Sequence, residues 1–188
     1  MARANGELSR WVVQQLRALN PPNVDRIIEL GPGPGVGLEA ALQQFPHSRV
    51  WGIDASPEML SQSRKRNSNA IDSGRLTLIE GSTASLAAIA PVDIIFANHV
   101  LYFWHQPADE LTRLHGFLVG SGIPALAYQL RQNMPSMPQR QFPRAGHILY
   151  ESDEDVAALL RSTGFTNISH MVKGSPEAPE GRVTFATA

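Results

Sequence analysis

Three glycines and one aspartate have the spacing of a nucleotide-binding turn. Gly31, Gly33 and Gly35 follow the short apolar run Arg26–Leu30, and Asp54 ends the next apolar run. Glycine lets the backbone turn sharply and approach a ligand closely. An acid about 20 residues downstream can accept hydrogen bonds from both hydroxyls of a ribose. Together these residues predict a site for a ligand that contains a nucleoside.

The spacing of these glycines separates several nucleotide-dependent chemistries. A dinucleotide fingerprint requires G-x-G-x-x-G, but the sixth positions counted from Gly31 and Gly33 are Val36 and Leu38. A P-loop requires a Lys followed by Ser or Thr after its last glycine, and the sequence contains no such string. A nicotinamide-dependent oxidoreductase is therefore disfavoured, and nucleoside triphosphate chemistry has no anchor.

A second group of polar and aromatic residues follows the apolar run 92–97. Asn98 and His99 come first, and Tyr102 and Trp104 lie just beyond them. Histidine has an unperturbed pKa near neutrality and can take a proton from a hydroxyl or a protonated amine. His99 is therefore the candidate general base, and a packing role for it and for the aromatic residues stays open. Weaker candidates for the base are Tyr102, His105 and His147.

Composition limits the classes of protein and partner. The 188 residues, 43% hydrophobic and 18% charged, predict one folded domain over 1–188. Sixteen basic and seventeen acidic residues give a net charge of -1, which argues against a nucleic-acid partner. The absence of cysteine excludes disulfides, zinc-thiolate sites and thiol nucleophiles, and we expect no metal. Residues 1–20 lack an uninterrupted apolar run, so we expect a cytoplasmic protein with no membrane partner.

Strand-like and helix-like runs alternate along the chain. This alternation predicts an α/β fold: a single Rossmann-like, doubly wound sheet of seven strands with helices on both faces. The sheet is expected to be mostly parallel with one antiparallel C-terminal strand. The predicted strands are 26–30, 49–54, 76–80, 92–97, 123–130, 165–172 and 182–187, and the predicted helices are 1–20, 36–45, 57–66, 84–89, 108–118 and one that starts after Ser152.

Residues 131–150 break the alternation and are predicted to be a loop insertion. They contain three prolines and show no clear periodicity. This insertion and the N-terminal helix are the two segments that lie outside the alternating strands and helices, so they are available to shape a substrate pocket. We expect them to form a partial lid, with one or more of the following residues facing the substrate: Met134, Met137, Phe142, His147 and Tyr150.

The string Glu29-Leu30-Gly31-Pro32-Gly33-Pro34-Gly35, with Asp54 at the end of the second strand, resembles a known family signature. It is similar to the acid-x-G-x-G-x-G turn of class I S-adenosylmethionine-dependent methyltransferases, in particular those that act on small molecules. The resemblance runs from about residue 24 to 130, and the helix-strand-strand ending fits the same family. It implies an enzyme that methylates an oxygen or nitrogen atom of a small-molecule acceptor and releases S-adenosylhomocysteine.

The resemblance also implies roles for individual residues. Glu29 would orient the methionine amino group, the backbone from Gly31 to Gly35 would lie against the methionine and ribose, and Asp54 would hold the ribose hydroxyls. Asn98 would contact the methionine group. The other implied cofactor-binding residues are Pro32, Gly33, Ala55, Met59, Gly81, Ser82 and Thr83, and the implied acceptor-binding residues are Tyr102, Trp104 and His147.

Two departures from related patterns affect these expectations. The family has a Gly-Asp pair after the third strand that contacts the adenine amino group, whereas this chain has Gly81-Ser82. Nucleic-acid amino-methylating enzymes of this fold carry two prolines after the fourth strand, whereas this chain has Asn98-His99-Val100. A small-molecule acceptor is therefore favoured over DNA or RNA. The alternative is a scaffold protein that binds the cofactor but does not catalyse a reaction, because the short chain leaves little room for a dedicated acceptor site.

Overall fold

The computed structural model describes residues 2–175 and 177–188, and the side chains from Asn5 onward. Its strands form one seven-stranded sheet in the order β3-β2-β1-β4-β5-β7-β6. Strand β7 runs antiparallel to both of its neighbours, and all other neighbouring strands are parallel. The predicted doubly wound sheet is thus confirmed. The strands are β1 Arg26–Leu30, β2 Arg49–Asp54, β3 Leu76–Glu80, β4 Val92–Asn98, β5 Leu118–Tyr128, β6 Thr166–Gly174 and β7 Pro179–Thr187.

Helices cover both faces of the sheet. Successive residues of a strand point to opposite faces, so Ile27 and Ile28 belong to two separate apolar clusters. Helices α1 and α2 pack on the Ile27 side, and α5 and α7 pack on the Ile28 side. No helix of the described chain has both the length and the apolar character to cross a membrane. The helices are α1 Ala2–Ala18, α2 Val36–Gln44, α3 Pro57–Arg66, α4 Ser68–Asp72, α5 Pro107–Phe117, α6 Ser136–Arg144 and α7 Asp153–Ser162.

Local sequence explains where two of these helices begin. The Ser56 hydroxyl accepts a hydrogen bond from the Met59 amide at 3.3 Å, and Pro57 occupies the first turn of α3. At α7, Ser152 and Asp155 form a reciprocal capping box. Both starts agree with the positions that the sequence predicts.

The prediction of a loop over residues 131–150 was wrong, because α6 occupies the middle of that segment. Pro135 stands before the helix and Pro138 lies in its first turn, where a backbone N–H has no intrahelical partner to lose. Only Pro143 lies in the helix interior. Pro135 and Pro138 therefore mark the start of a short helix rather than exclude one.

Smaller differences concern element boundaries. Strand β5 begins at Leu118, five residues earlier than predicted, and α4 was not predicted. Strand β6 extends to Gly174 and β7 begins at Pro179, so most of residues 173–181, which lie between the last two predicted strands, belong to an antiparallel hairpin. In each case a strand or helix forms in a segment whose sequence shows only weak periodicity.

Candidate functional site

A cavity of about 1030 Å³ lies at the carboxyl edge of the sheet. Strand order reverses between β1 and β4, which is where open α/β sheets bind ligands. The cavity has two chemically different sides. The polar wall consists of Gly31, Asp54, Ala55, Gly81, Ser82, Thr83 and Asn98, and the apolar wall consists of Val100, Tyr102, Phe103, Met134, Pro135, Pro138 and Phe142.

The glycine turn permits close packing as well as sharp bending. Gly31 has φ +62°, and a Cβ there would lie 2.6 Å from the Val100 side chain. Gly35 has φ +81°, and a Cβ there would lie 2.4 Å from the Ser63 hydroxyl. Any larger residue would therefore displace the segment after β4 or helix α3. Of the predicted turn residues, Gly31 lines the cavity, whereas Pro32, Gly33 and Gly35 do not.

Asp54 connects the glycine turn to the end of β2. Its Oδ2 accepts a hydrogen bond from the Gly33 amide at 3.0 Å, and its Oδ1 accepts one from the Ser56 amide at 2.9 Å. An ionised carboxylate offers about four lone-pair sites, so two remain for further donors. Asp54 also lines the cavity, which allows it to accept hydrogen bonds from a ligand diol.

Glu29 is a buried carboxyl group behind the polar wall. Its side chain is 1% exposed, and desolvation by burial raises its pKa to about 8. The Asn98 amide nitrogen donates to Glu29 Oε1 at 3.0 Å, and Asn98 lines the cavity. Glu29 Oε2 and Asn98 Oδ1 are both buried, and neither has a hydrogen-bond partner among the described residues. Two unpartnered acceptor oxygens fit a donor-rich cation such as an ammonium group.

Sequence reasoning missed Gly37, which makes room for Glu29. A Cβ at Gly37 would lie 2.1 Å from Glu29 Oε1. Helix α2 can therefore approach the carboxyl group only because this position is glycine. The signal available in the sequence is a fourth glycine directly after the turn, inside a segment of helical pattern.

The segment after β3 completes the polar wall. The Gly81 amide donates to the Asp54 carbonyl at 3.0 Å, and the Ser82 hydroxyl accepts from the Ala84 amide at 3.3 Å. Thr83 donates its hydroxyl proton to the Glu110 carboxylate. All of these residues except Ala84 line the cavity. Met59, which was predicted to bind the cofactor, is not part of the cavity wall.

His99 lies where the two walls meet, next to Asn98 in the chain and stacked on Tyr102. The two ring centroids are 6.1 Å apart with an interplanar angle of 21°. The His99 backbone has φ +58°, and its amide donates to the Ala127 carbonyl at 2.8 Å. A non-glycine residue held in the left-handed region is uncommon and is often found at functional sites. Desolvation lowers the pKa of His99 below 6.5, so the imidazole is neutral at pH 7.

A hydrogen-bond network around Tyr102 orients this imidazole. The Tyr102 hydroxyl donates its only proton to the Gln129 carbonyl at 3.1 Å and accepts one from the Gln129 amide. At its 3.5 Å contact with Tyr102 Oη, His99 Nδ1 is therefore the donor. This assignment leaves the lone pair on His99 Nε2, the form that a general base requires.

Aromatic rings dominate the apolar wall. Phe142 lies 5.9 Å from Tyr102 and 5.5 Å from Phe103 between ring centroids. His147 does not line the cavity, but packs edge-on against Phe103 at 4.8 Å and against Phe142 at 5.5 Å. It therefore supports the wall from outside. Trp104 lines the cavity as well.

The segment 131–150 contributes only part of the face that was expected. Met134 and Phe142 line the cavity. Met137 is 48% exposed and Tyr150 is buried in the core, and neither reaches the cavity. Four polar residues of the cavity were not predicted, because they come from separate elements and belong to no motif: Asn5, Glu110, Gln129 and Asn133.

Comparison with known sequences identifies relatives of this chain. The sequence profile described as a methyltransferase domain matches residues 27–122. Trans-aconitate 2-methyltransferase of Methylobacterium nodulans is 32% identical over 119 residues, which are 63% of this chain and 43% of the relative. The enzyme of the same name from Acidovorax ebreus is 30% identical over 142 residues, which are 76% of this chain and 52% of the relative. The matches thus span about half the length of these relatives or less.

Solved structures share the fold at low sequence identity. A putative O-methyltransferase from Nostoc punctiforme superposes with a TM-score of 0.76 at 14% identity, over 100% of this chain and 58% of the other. Magnesium protoporphyrin IX methyltransferase from Synechocystis, solved with bound SAM, superposes with a TM-score of 0.71 at 16% identity. That superposition covers 98% of this chain and 79% of the other.

Proposed function

Because this chain belongs to the class I S-adenosylmethionine-dependent methyltransferase family, we propose that it transfers the methyl group of S-adenosylmethionine to an oxygen or nitrogen atom of a small molecule. The observation that supports this most strongly is a single cavity with two walls. One wall is polar and follows the strand ends, and the other is apolar and aromatic. A neutral imidazole lies where they meet.

The polar wall fits S-adenosylmethionine group by group. Asp54 has free acceptor capacity for two ribose hydroxyls, and the unpartnered oxygens of Glu29 and Asn98 suit the methionine ammonium group. Gly31 keeps the wall free of a side chain where the turn meets the cavity. Gly81, Ser82 and Thr83 are left to contact the adenine. When bound, the cofactor supplies a methyl group activated by a positively charged sulfur.

The residues of the second wall hold and deprotonate the acceptor. The aromatic side chains exclude water and keep the acceptor close to the methyl group, which accounts for much of the acceleration in a displacement reaction. His99 Nε2 takes the proton of an acceptor hydroxyl or protonated amine. Tyr102 is a positioning residue, since it fixes the orientation of the His99 ring without touching the reacting atoms.

We expect α6 and the N-terminal end of α1 to act as a partial lid over the acceptor. Met134, Pro138 and Phe142 of the 131–150 segment and Asn5 of α1 all line the cavity. The α6 residues are not buried. They can therefore adjust to an acceptor without disrupting the core.

Isothermal titration with S-adenosylmethionine, S-adenosylhomocysteine and NAD tests the cofactor assignment. We expect the first two to bind, and Asp54→Ala to weaken both about 100-fold, because hydrogen bonds to charged groups contribute about 1.5–3 kcal/mol each. Asp72→Ala at the exposed end of α4 is the matched control. Thermal unfolding of both variants checks that the glycine turn remains folded.

Three results would oppose the proposal. Binding of NAD in preference to the other two ligands would contradict the cofactor class. Unchanged affinity in Asp54→Ala would contradict the location of the site. Tight S-adenosylhomocysteine binding without product release in a broad acceptor screen would favour a cofactor-binding scaffold.

A further inference from the structure

We infer that the methyl acceptor is an uncharged, planar and largely apolar molecule that carries a hydroxyl group, rather than a polycarboxylate. The curated relatives reported above are named for trans-aconitate, which bears three carboxylates. This inference rests on the proposed function, since it concerns the acceptor side of the same cavity. The chemistry of the cavity wall thus predicts a different class of acceptor from the one for which these relatives are named.

The charge of the cavity opposes an anionic acceptor. Its described wall contains the acids Asp54 and Glu110 and the imidazole of His99, and neither lysine nor arginine. Burial keeps His99 neutral at pH 7, so it provides no counter-charge. A carboxylate removed from water is stable only when it is paired with a cation or fully hydrogen-bonded. Among the described residues, the wall offers no cationic side chain to pair with it.

Nearby arginines do not correct this imbalance. Arg131, beside the cavity residues of the lid segment, pairs with Glu151 at 3.1 Å. Arg182 pairs with Asp153 at 2.6 Å. Arg140 and Arg144 lie on α6 but are exposed and outside the cavity wall. A bidentate arginine–carboxylate contact, which is the usual means of holding such an acceptor, has no described donor in this wall.

The shape and polarity of the apolar wall favour a planar neutral molecule. Tyr102, Phe103 and Phe142 have ring centroids between 5.5 and 6.3 Å apart, and offset or edge-on contacts at such distances suit another aromatic ring. Outside the polar wall the cavity also has three amide side chains, which pair with neutral donors and acceptors: Asn5, Gln129 and Asn133.

The imidazole suits a hydroxyl acceptor better than a carboxylate. A carboxylate is already ionised at neutral pH and needs no base. A hydroxyl gives its proton to His99 Nε2 while an oxygen lone pair forms the new bond to the methyl carbon. The carbon–sulfur bond breaks, and its electron pair stays on sulfur, which becomes the neutral thioether of S-adenosylhomocysteine. The imidazolium of His99 then releases the proton to water.

Binding to the S-adenosylhomocysteine-loaded chain tests the acceptor class without relying on turnover. The probes are 1-naphthol and 7-hydroxycoumarin as neutral hydroxyaryl compounds, and trans-aconitate as the polycarboxylate. We expect at least one neutral probe to bind at least 100-fold more tightly than trans-aconitate in titration calorimetry. Comparable or tighter binding of trans-aconitate, or no binding of either neutral probe, would overturn the inference. Failure to bind S-adenosylhomocysteine at all would instead overturn the proposed function.

Two variants on the same helix locate the binding surface. Phe142→Ala should weaken binding of the neutral probe about tenfold and leave S-adenosylhomocysteine affinity unchanged. Met137→Ala, whose side chain is 48% exposed and outside the cavity, is the matched control and should change neither. Both variants should fold, because no residue of α6 is buried. An equal effect of the two variants, or an unchanged affinity in Phe142→Ala, would count against this surface.

Discussion

The two walls of the cavity differ in how they are built. The residues of the polar wall lie at or just after the ends of β1 to β4, so the register of the parallel sheet fixes their positions. The apolar wall joins the segment after β4 to the α6 segment about 40 residues later, through ring contacts such as Phe103 with Phe142. A ligand group on the polar wall is therefore positioned by the backbone. A group on the apolar wall is positioned by side-chain packing.

This difference separates the two functions of the cavity. Changing the polar wall disturbs the sheet edge, because Asp54 and Gly31 also hold the glycine turn in place. Changing the α6 residues of the apolar wall leaves the sheet intact, because no side chain of α6 is buried. We expect cofactor recognition to tolerate little variation and acceptor recognition to tolerate more.

The largest expected effect comes from the residue between the walls. Replacing His99 with Asn keeps a side chain that tolerates φ +58° but removes the base. Turnover of a hydroxyl acceptor should fall about 10²–10⁴-fold, while S-adenosylhomocysteine affinity stays the same. His105→Asn, at an exposed neighbouring position, should retain full activity.

The pH profile provides a second measurement of the same change. Desolvation lowers the pKa of His99 below 6.5, so the basic form predominates above that pH and turnover falls as the pH drops through the lowered pKa. Tyr102 does not titrate in this range, because burial raises its pKa. The acidic limb should disappear in His99→Asn. A limb that persists in the variant would assign the titration to another group.

A smaller effect is expected for the buried carboxyl group behind the polar wall. The pKa of Glu29 is about 8 in the folded chain, against an ordinary value of 4.5 for a solvated glutamate. Its burial therefore has little effect on the free energy of unfolding below pH 4.5, and it destabilises the folded chain increasingly as the pH rises to 8. Glu29→Gln should therefore raise the free energy of unfolding at pH 8 by about 1–3 kcal/mol and change it little at pH 4.5. It should also weaken S-adenosylmethionine binding about tenfold, because an amide cannot ionise opposite the ammonium group as the Glu29 carboxyl group can.

Urea unfolding of the ligand-free protein at both pH values measures the first effect, and calorimetry measures the second. Glu177→Gln, at an exposed position between β6 and β7, is the control. An equal change in unfolding free energy at pH 4.5 and pH 8 would show that charge burial is not the cause.

The smallest expected effect concerns the adenine end of the polar wall. Ser82→Asp restores the residue type of the family signature and retains an N-cap acceptor for the Ala84 amide. S-adenosylmethionine affinity should rise a few-fold, consistent with a net gain of about 1 kcal/mol for one hydrogen bond. Ser73→Asp, exposed and outside the cavity, should leave the affinity unchanged. A decrease in Ser82→Asp would mean that the adenine does not lie against Ser82.

The fold and the polar wall were largely predictable from the sequence for one physical reason. The runs at Ile27, Val50 and Ile94 are short and apolar, and each is followed within a few residues by the polar or glycine residue that lines the cavity. Strand ends of a parallel sheet meet at one edge, so local order in the sequence becomes proximity in space. The predicted roles of the site residues toward the cofactor remain predictions.

The polar residues of the cavity that follow no strand end of β1 to β4 were not predictable in the same way. Gln129 and Asn133 reach the cavity because β5 ends beside β4, and Glu110 reaches it because α5 packs against Thr83. Neither placement leaves a local pattern in the sequence. Helix α6 was not predicted for a related reason: Pro135 and Pro138 are compatible with a helix because they lie before it and in its first turn, whereas Pro143 lies in its interior.

Because no residue of α6 is buried, the segment 136–144 can be replaced without disrupting the core. Its replacement would remove few core contacts and would leave the hydrogen bonds of Asp54, Glu29 and Asn98 untouched. A library restricted to these nine positions could therefore be screened for new acceptors while the residues proposed to bind the cofactor stay unchanged. Within this stretch, Pro138 and Phe142 line the cavity and are the positions through which such a library would act on the acceptor.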